Sequence, residues 1–121
     1  MSMRVAIITL SDSGHAGQRE DKSGPVIREL AEAAGYTVAH TALLPDGVEP
    51  LAGELKRLCD GDIADLVLTT GGTGFSPRDL TPEATRAVTE RPAPGIAEAM
   101  RWLSLQITPR AMLSRAEAGI R

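Results

Sequence analysis

The residues best suited to chemistry lie in one run, Thr70-Gly71-Gly72-Thr73-Gly74, followed closely by Ser76, Arg78 and Asp79. Glycine tolerates positive φ and lets a ligand reach the main chain without meeting a Cβ. A loop of three glycines among hydroxyl residues can therefore aim its N–H groups at an anion. Thr70, Thr73 and Ser76 add hydroxyl donors, and Arg78 adds a cation. The run is not a Walker loop, because no Lys follows Gly74, and it lacks the G-x-G-x-x-G spacing of dinucleotide sites. Two further stretches hold polar residues directly after apolar runs: Ser11-Asp12, and Asp46 within Pro45-Asp46-Gly47. Taken singly, both read as ordinary turn chemistry. The charges at Arg19, Glu20, Asp21 and Lys22 read as a solvated face.

The elements around these stretches decide whether they meet. Residues 3–10, 36–44 and 66–70 read as strands, the first and third as apolar runs buried on both faces. Helices are expected from Ser23-Gly24-Pro25 to Gly35, over residues 48–60, over residues 82–90 with Thr81 as N-cap, and from about residue 96 to 107. Their apolar stripes are Val26, Ile27, Leu30, Ala31 and Ala34; then Val48, Leu51, Leu55, Leu58 and Cys59; then Ile96, Met100, Leu103 and Ile107. Cys59 reads as a small buried hydrophobe. Glu98 and Arg101 are spaced for a surface pair, and Trp102, off the stripe, for packing against another subunit. A short helical turn follows at residues 110–114, and the last residues read as irregular or a short strand. Strands alternating with helices predict an α/β three-layer sandwich, a mostly parallel central sheet with helices on both faces. Right-handed crossovers would then bring the ends of all three strands to one edge, with Ser11-Asp12, Asp46 and residues 70–79 in one neighbourhood.

Composition narrows the function classes. The 121 residues suit one domain. A net charge of −3 with no basic run argues against duplex nucleic acid, and 2% aromatics argue against a base-stacking surface. One cysteine precludes an intrachain disulfide and suits a cytoplasmic setting. No run is long and apolar enough for a membrane span, and the first strand begins too early to leave room for a signal peptide. His15 and His40 lack partners at zinc-ligand spacing.

The glycine run with Arg78-Asp79 and Thr81-Pro82-Glu83-Ala84 closely resembles the signature loop of the molybdopterin adenylyltransferases, whose fold recurs in the gephyrin G domain. The resemblance extends over nearly the whole chain, through Ser11-Asp12, Asp21-Lys22-Ser23-Gly24-Pro25, Pro45-Asp46, Pro94-Gly95 with Glu98 and Met100-Arg101, and Leu113-Ser114-Arg115. It implies one molybdopterin-binding domain over residues 1–121. Against the family pattern, the 121 residues are expected to lack its C-terminal strand, Pro-Gly loop and final helix. It also implies Mg-ATP-dependent adenylylation of molybdopterin with loss of pyrophosphate, and delivery of the product to a molybdenum-insertion enzyme. Homo-oligomers, trimers or hexamers, are the family's habit. Asp46 and Asp79 match its two essential aspartates. Carboxylates are poor direct partners for phosphates, so one or the other is expected to act through Mg²⁺ and its waters. Substrate contacts are expected from Ser11, Asp12, residues 70–74, Ser76 and Arg78, with Glu98, Arg101, Ser114 and Arg115 as secondary candidates. The alternative is a catalytically silent molybdopterin-binding or assembly protein of the same fold.

Overall fold

The computed structural model describes residues 2–121. Three parallel strands, β1 (Arg4–Leu10), β2 (Thr37–Leu44) and β3 (Leu66–Thr70), form a sheet in the order β2-β1-β3. Its helices are α1 (Asp12–His15), α2 (Ser23–Ala33), α3 (Val48–Asp60), α4 (Thr81–Val88) and α5 (Pro94–Leu105). A 3-10 turn at Pro109–Leu113 follows, and β4 (Arg91–Pro92) pairs antiparallel with β5 (Gly119–Ile120).

Alternation along β1 builds the layers. Ala6, Ile8 and Leu10 pack against Leu51, Ala52, Leu55 and Leu58 of α3 and Ala84 and Val88 of α4. Val5, Ile7 and Thr9 point to the opposite face, where α2 lies on β1 and β2. The expected parallel sheet with helices on both faces is therefore what the chain forms. Only β1 is buried on both faces. β3 is half-buried along its length, because β1 is its only partner among the described residues. An apolar run of three residues did not distinguish a central strand from its neighbour.

Several boundaries differ from expectation for local reasons. Residues 12–15 form a helical turn instead of a loop, because the Ser11 hydroxyl accepts the Gly14 N–H at 3.0 Å. Asp21 belongs to no solvated face. It accepts the Thr9 hydroxyl at 2.9 Å and the Gly24 N–H at 3.1 Å, so it fixes the start of α2 against the sheet. Within α2 only Ala31 is fully buried, and Val26 and Leu30 are exposed. Cys59 is half-buried. Of the expected stripe, Ile96, Met100 and Leu103 on α5 and Ile107 beyond its end are exposed, as is Trp102, and α5 buries Ala97 instead. Arg101 makes no pair with Glu98. Its guanidinium donates to the carbonyls of Ala116 at 2.8 Å and Ser114 at 3.4 Å, holding the C-terminal segment.

The start of the sheet is held by charge. Arg4 donates from its backbone N–H and Nε to Asp65 Oδ2 (2.9 and 3.1 Å) and from Nη2 to Asp65 Oδ1 (2.8 Å). These hydrogen bonds pull the Asp65 carboxyl down from its ordinary 3.8 to about 2. A carboxyl depressed by folding contributes stability above its unfolded value and loses it as pH falls through the folded one. Asp65→Asn is thus expected to lower the melting temperature at pH 7, with the difference closing as pH falls from 3.8 toward about 2. A melting-temperature gap of the same size at both ends of that window would count against the pairing.

Candidate functional site

The strand order places a switch point between β1 and β3. The chain leaves β1 toward β2 on one side, then returns to β3 on the other, and ligands of open α/β sheets bind in such crevices. A cleft of about 420 Å³ opens there, lined by Thr9, Leu10, Ser11, Thr70, Gly71 and the 19–23 segment.

Beside it the glycine loop is held in one conformation by its carbonyls. The Thr81 hydroxyl donates to Gly71 O at 2.8 Å and the Thr81 N–H to Gly72 O at 3.0 Å. The Arg115 N–H donates to Thr73 O at 2.9 Å and Arg115 Nε to Gly74 O at 2.8 Å. Thr81 is therefore not the N-cap of α4. It is the first helical residue, Leu80 holds the cap position, and both of its backbone-facing donors serve the loop. All peptide bonds here are trans, so each carbonyl points away from the next residue's N–H. The N–H groups of residues 72–75 are turned from the Thr81 and Arg115 side, and those of residues 71–75 have no acceptor among the described residues. Exposed amide donors in a row form a cradle for an anion.

Positive φ makes this path possible. Gly71 lies at φ +95° and Gly72 at +70°. A Cβ on Gly71 would lie 2.2 Å from Leu10 O, and one on Gly72 would lie 2.3 Å from Thr81 Oγ1 and 3.3 Å from Asp46 Oδ1. The Asp46 carboxylate therefore flanks the loop. A Cβ on Gly74 would lie 2.8 Å from Asp79 Oδ2, so Asp79 flanks the other end.

Each aspartate is oriented by one oxygen. Asp46 Oδ2 accepts the Asp12 N–H at 3.1 Å, and the Asp46 N–H returns a bond to Asp12 Oδ1 at 3.0 Å. Asp79 Oδ2 accepts the Ser76 N–H at 3.0 Å, while Asp79 N–H bonds Ser76 O at 2.9 Å. Oδ1 of both residues has no hydrogen-bond partner among the described residues. No group of three or more His, Cys, Asp or Glu converges as a metal site among those residues. Oδ1 of each aspartate is a hard oxygen donor of the kind that Mg²⁺ takes.

Arg78 is engaged in structure. Its fork grips Asp12, Nε to Oδ2 at 3.0 Å and Nη2 to Oδ1 at 2.8 Å, and Nη2 also reaches Asp46 O at 2.8 Å. Hydrogen bonding from Arg78 holds the Asp12 carboxyl below its ordinary range. Asp12, Asp46 and Arg78 thus form one network joining the ends of all three strands. Ser11 caps α1. The hydroxyls of Thr70, Thr73 and Ser76 have no protein partner among the described residues. Ser114 turns its hydroxyl to the Ala116 N–H at 3.3 Å. Glu98 is exposed on α5 without an ion pair among the described residues. Arg115, a secondary candidate in the sequence, is instead tied directly into the loop. Its bond to Glu83 also holds the Glu83 carboxyl below its ordinary range. The adjacent Leu113-Ser114-Arg115 motif was the only sequence signal for it.

The fold and this loop define an α/β domain with a glycine loop at the strand C-termini, flanked by two carboxylates. Residues 6–120 match the family described as Probable molybdopterin binding domain, and the chain belongs to it. It is 39% identical over 124 residues to a molybdopterin adenylyltransferase of Helicobacter pylori, covering 99% of this chain and 69% of that protein. It is 40% identical over 122 residues to the molybdopterin adenylyltransferase of Escherichia coli K12, covering 99% of this chain and 63% of that protein. The crystal structure of the molybdopterin biosynthesis enzyme MoaB from Thermus thermophilus superposes with a TM-score of 0.92 at 45% identity, over 98% of this chain and 75% of that one.

Proposed function

We propose that this chain is a molybdopterin adenylyltransferase that activates the pterin at the expense of ATP. An oxygen of molybdopterin's terminal phosphate attacks the α-phosphorus of ATP. A new P–O bond forms, the bond from the α-phosphorus to the bridging oxygen breaks, and pyrophosphate leaves with the electron pair. No atom changes oxidation state. The observation that carries this reading is the row of N–H groups at residues 71–75, without an acceptor among the described residues, between Asp46 and Asp79. Two anions must meet in this reaction, and oriented amides offset their charge without reorganising. When bound, Mg²⁺ would supply Lewis-acid stabilisation of the phosphate oxygens, with Asp46 and Asp79 as the residues able to hold it. The residues' own part is positioning: the cradle fixes one phosphate, and the Asp12–Arg78 pair fixes Asp46.

The proposal extends to the setting. The adenylylated pterin would pass to a molybdenum-insertion enzyme in the cytoplasm. The exposed apolar stripe of α5 supports a homo-oligomer, with a trimer or hexamer expected, and a monomer in light scattering would count against it. Among the described residues no helix is long and apolar enough to cross a membrane.

The test is pyrophosphate release from ATP by the 121-residue chain, with and without fresh molybdopterin and with and without Mg²⁺. Release that needs both is the expected result. Pterin binding without release would overturn the enzyme reading and leave a binding protein.

A further inference from the structure

Resting on that reading of the site, we propose that Arg115 is a positioning residue that sets the glycine loop and Asp79 from outside the substrate cleft. One residue supplies bonds to three loop carbonyls: Thr73 O from its N–H, Gly74 O from Nε at 2.8 Å and Asp79 O from Nη2 at 2.6 Å. The same guanidinium is anchored on Glu83 in the first turn of α4, Nη1 to Oε2 at 2.8 Å and Nη2 to Oε1 at 3.3 Å. A planar fork of donors can satisfy this set at once, whereas an ammonium on a flexible stem cannot.

The consequence reaches the cradle through the peptide planes. Drawing the Thr73 and Gly74 carbonyls toward Arg115 turns the N–H groups of Gly74 and Phe75 the other way. Thr81 does the same for Gly72 and Thr73. Thr81 thus governs the first half of the row and Arg115 the second. Asp79 follows, since its carbonyl is held by Nη2 while its carboxylate sits against Gly74. The charge of Arg115 is already paired with Glu83.

Arg115→Lys keeps the charge and the backbone bond but removes the fork. In amide exchange measured by NMR, the bonded N–H groups of Ser76, Asp79 and Thr81 are expected to exchange about tenfold faster, while β1 and β2 stay within about twofold of wild type. Glu83→Gln, which leaves Arg115 in place and weakens its anchor, should give a smaller change of the same pattern. In pyrophosphate release, kcat is expected to fall about 30-fold with KM for ATP moving less than about threefold, because a misplaced loop loses orientation more than affinity. Unchanged exchange at the three amides, or acceleration shared equally by β1, would overturn the proposal. So would a large rise in KM with kcat preserved, which would make Arg115 a substrate ligand. A wild-type chain that releases no pyrophosphate would defeat the proposed reaction, and the exchange experiment would still decide whether Arg115 positions the loop.

Discussion

Gly71→Ala is expected to lower the stability of the chain by roughly 3 kcal/mol or more, a large fraction of the total in a marginally stable domain. Two effects combine. At φ +95° an L side chain is strained wherever it sits. Here the added Cβ would also lie 2.2 Å from the carbonyl oxygen of Leu10, the last residue of the buried central strand. That oxygen is backbone and cannot swing aside, so either the loop or the end of β1 must move. Gly53→Ala is the matched control. It lies within α3 with nothing inside 4 Å of the added carbon, and alanine should raise stability there by about 0.5–1 kcal/mol through helix propensity. Urea denaturation of the two variants reads both effects. A Gly71→Ala unfolding free energy within about 1 kcal/mol of wild type would show that the loop can pass Leu10 by another path. Gly72→Ala meets a side-chain oxygen, Thr81 Oγ1, and lies 3.3 Å from Asp46 Oδ1, so its smaller stability loss should come with displacement of Asp46.

These glycines also show how much could be read from the chain. Residue types announced the loop, because closely spaced glycines and hydroxyls at the end of an apolar run have few structural uses. Alternation of strand and helix was enough to bring Ser11-Asp12, Asp46 and residues 70–79 to one edge, and the sheet does so. Partners of long reach were not legible. Arg78 and Asp12 are 66 positions apart, and an arginine beside a glycine loop reads as an anion ligand until its fork is seen on a carboxylate. Thr81 before Pro82 has the pattern of an N-cap, yet tertiary contact with Gly71 sets its hydroxyl elsewhere. Asp21 sits in a run of charges that resembles solvated surface, and the Thr9 hydroxyl of β1 together with the Gly24 N–H gives it a fixed place. The α5 stripe has helical period without burial. Periodicity reports that a face is apolar, and what covers that face is a separate fact.

Asp46→Asn and Asp79→Asn are each expected to reduce pterin-dependent pyrophosphate release about 100- to 1000-fold while leaving the fold and the loop in place. The choice of asparagine matters because one oxygen of each aspartate is structural. Asp46 Oδ2 receives the Asp12 N–H and Asp79 Oδ2 the Ser76 N–H, and an amide oxygen can accept either bond. The substitution removes the carboxylate charge and preserves the acceptor that shapes the turn. At Asp46 the oxygen beside Gly72 is Oδ1, which accepts no hydrogen bond among the described residues, whereas at Asp79 Oδ2 both accepts the Ser76 N–H and lies beside Gly74. Melting temperature should therefore change little in both variants. The loss of release should not be recovered by more ATP, because the missing interaction strengthens as charge develops at the reacting phosphorus. Raising Mg²⁺ separates the two residues. If one carboxylate carries the ion, its asparagine variant should show a raised Mg²⁺ requirement and partial recovery at high concentration, and the other variant should show neither. Full activity in both variants would remove the carboxylates from the mechanism and leave the amide row as the whole of the site.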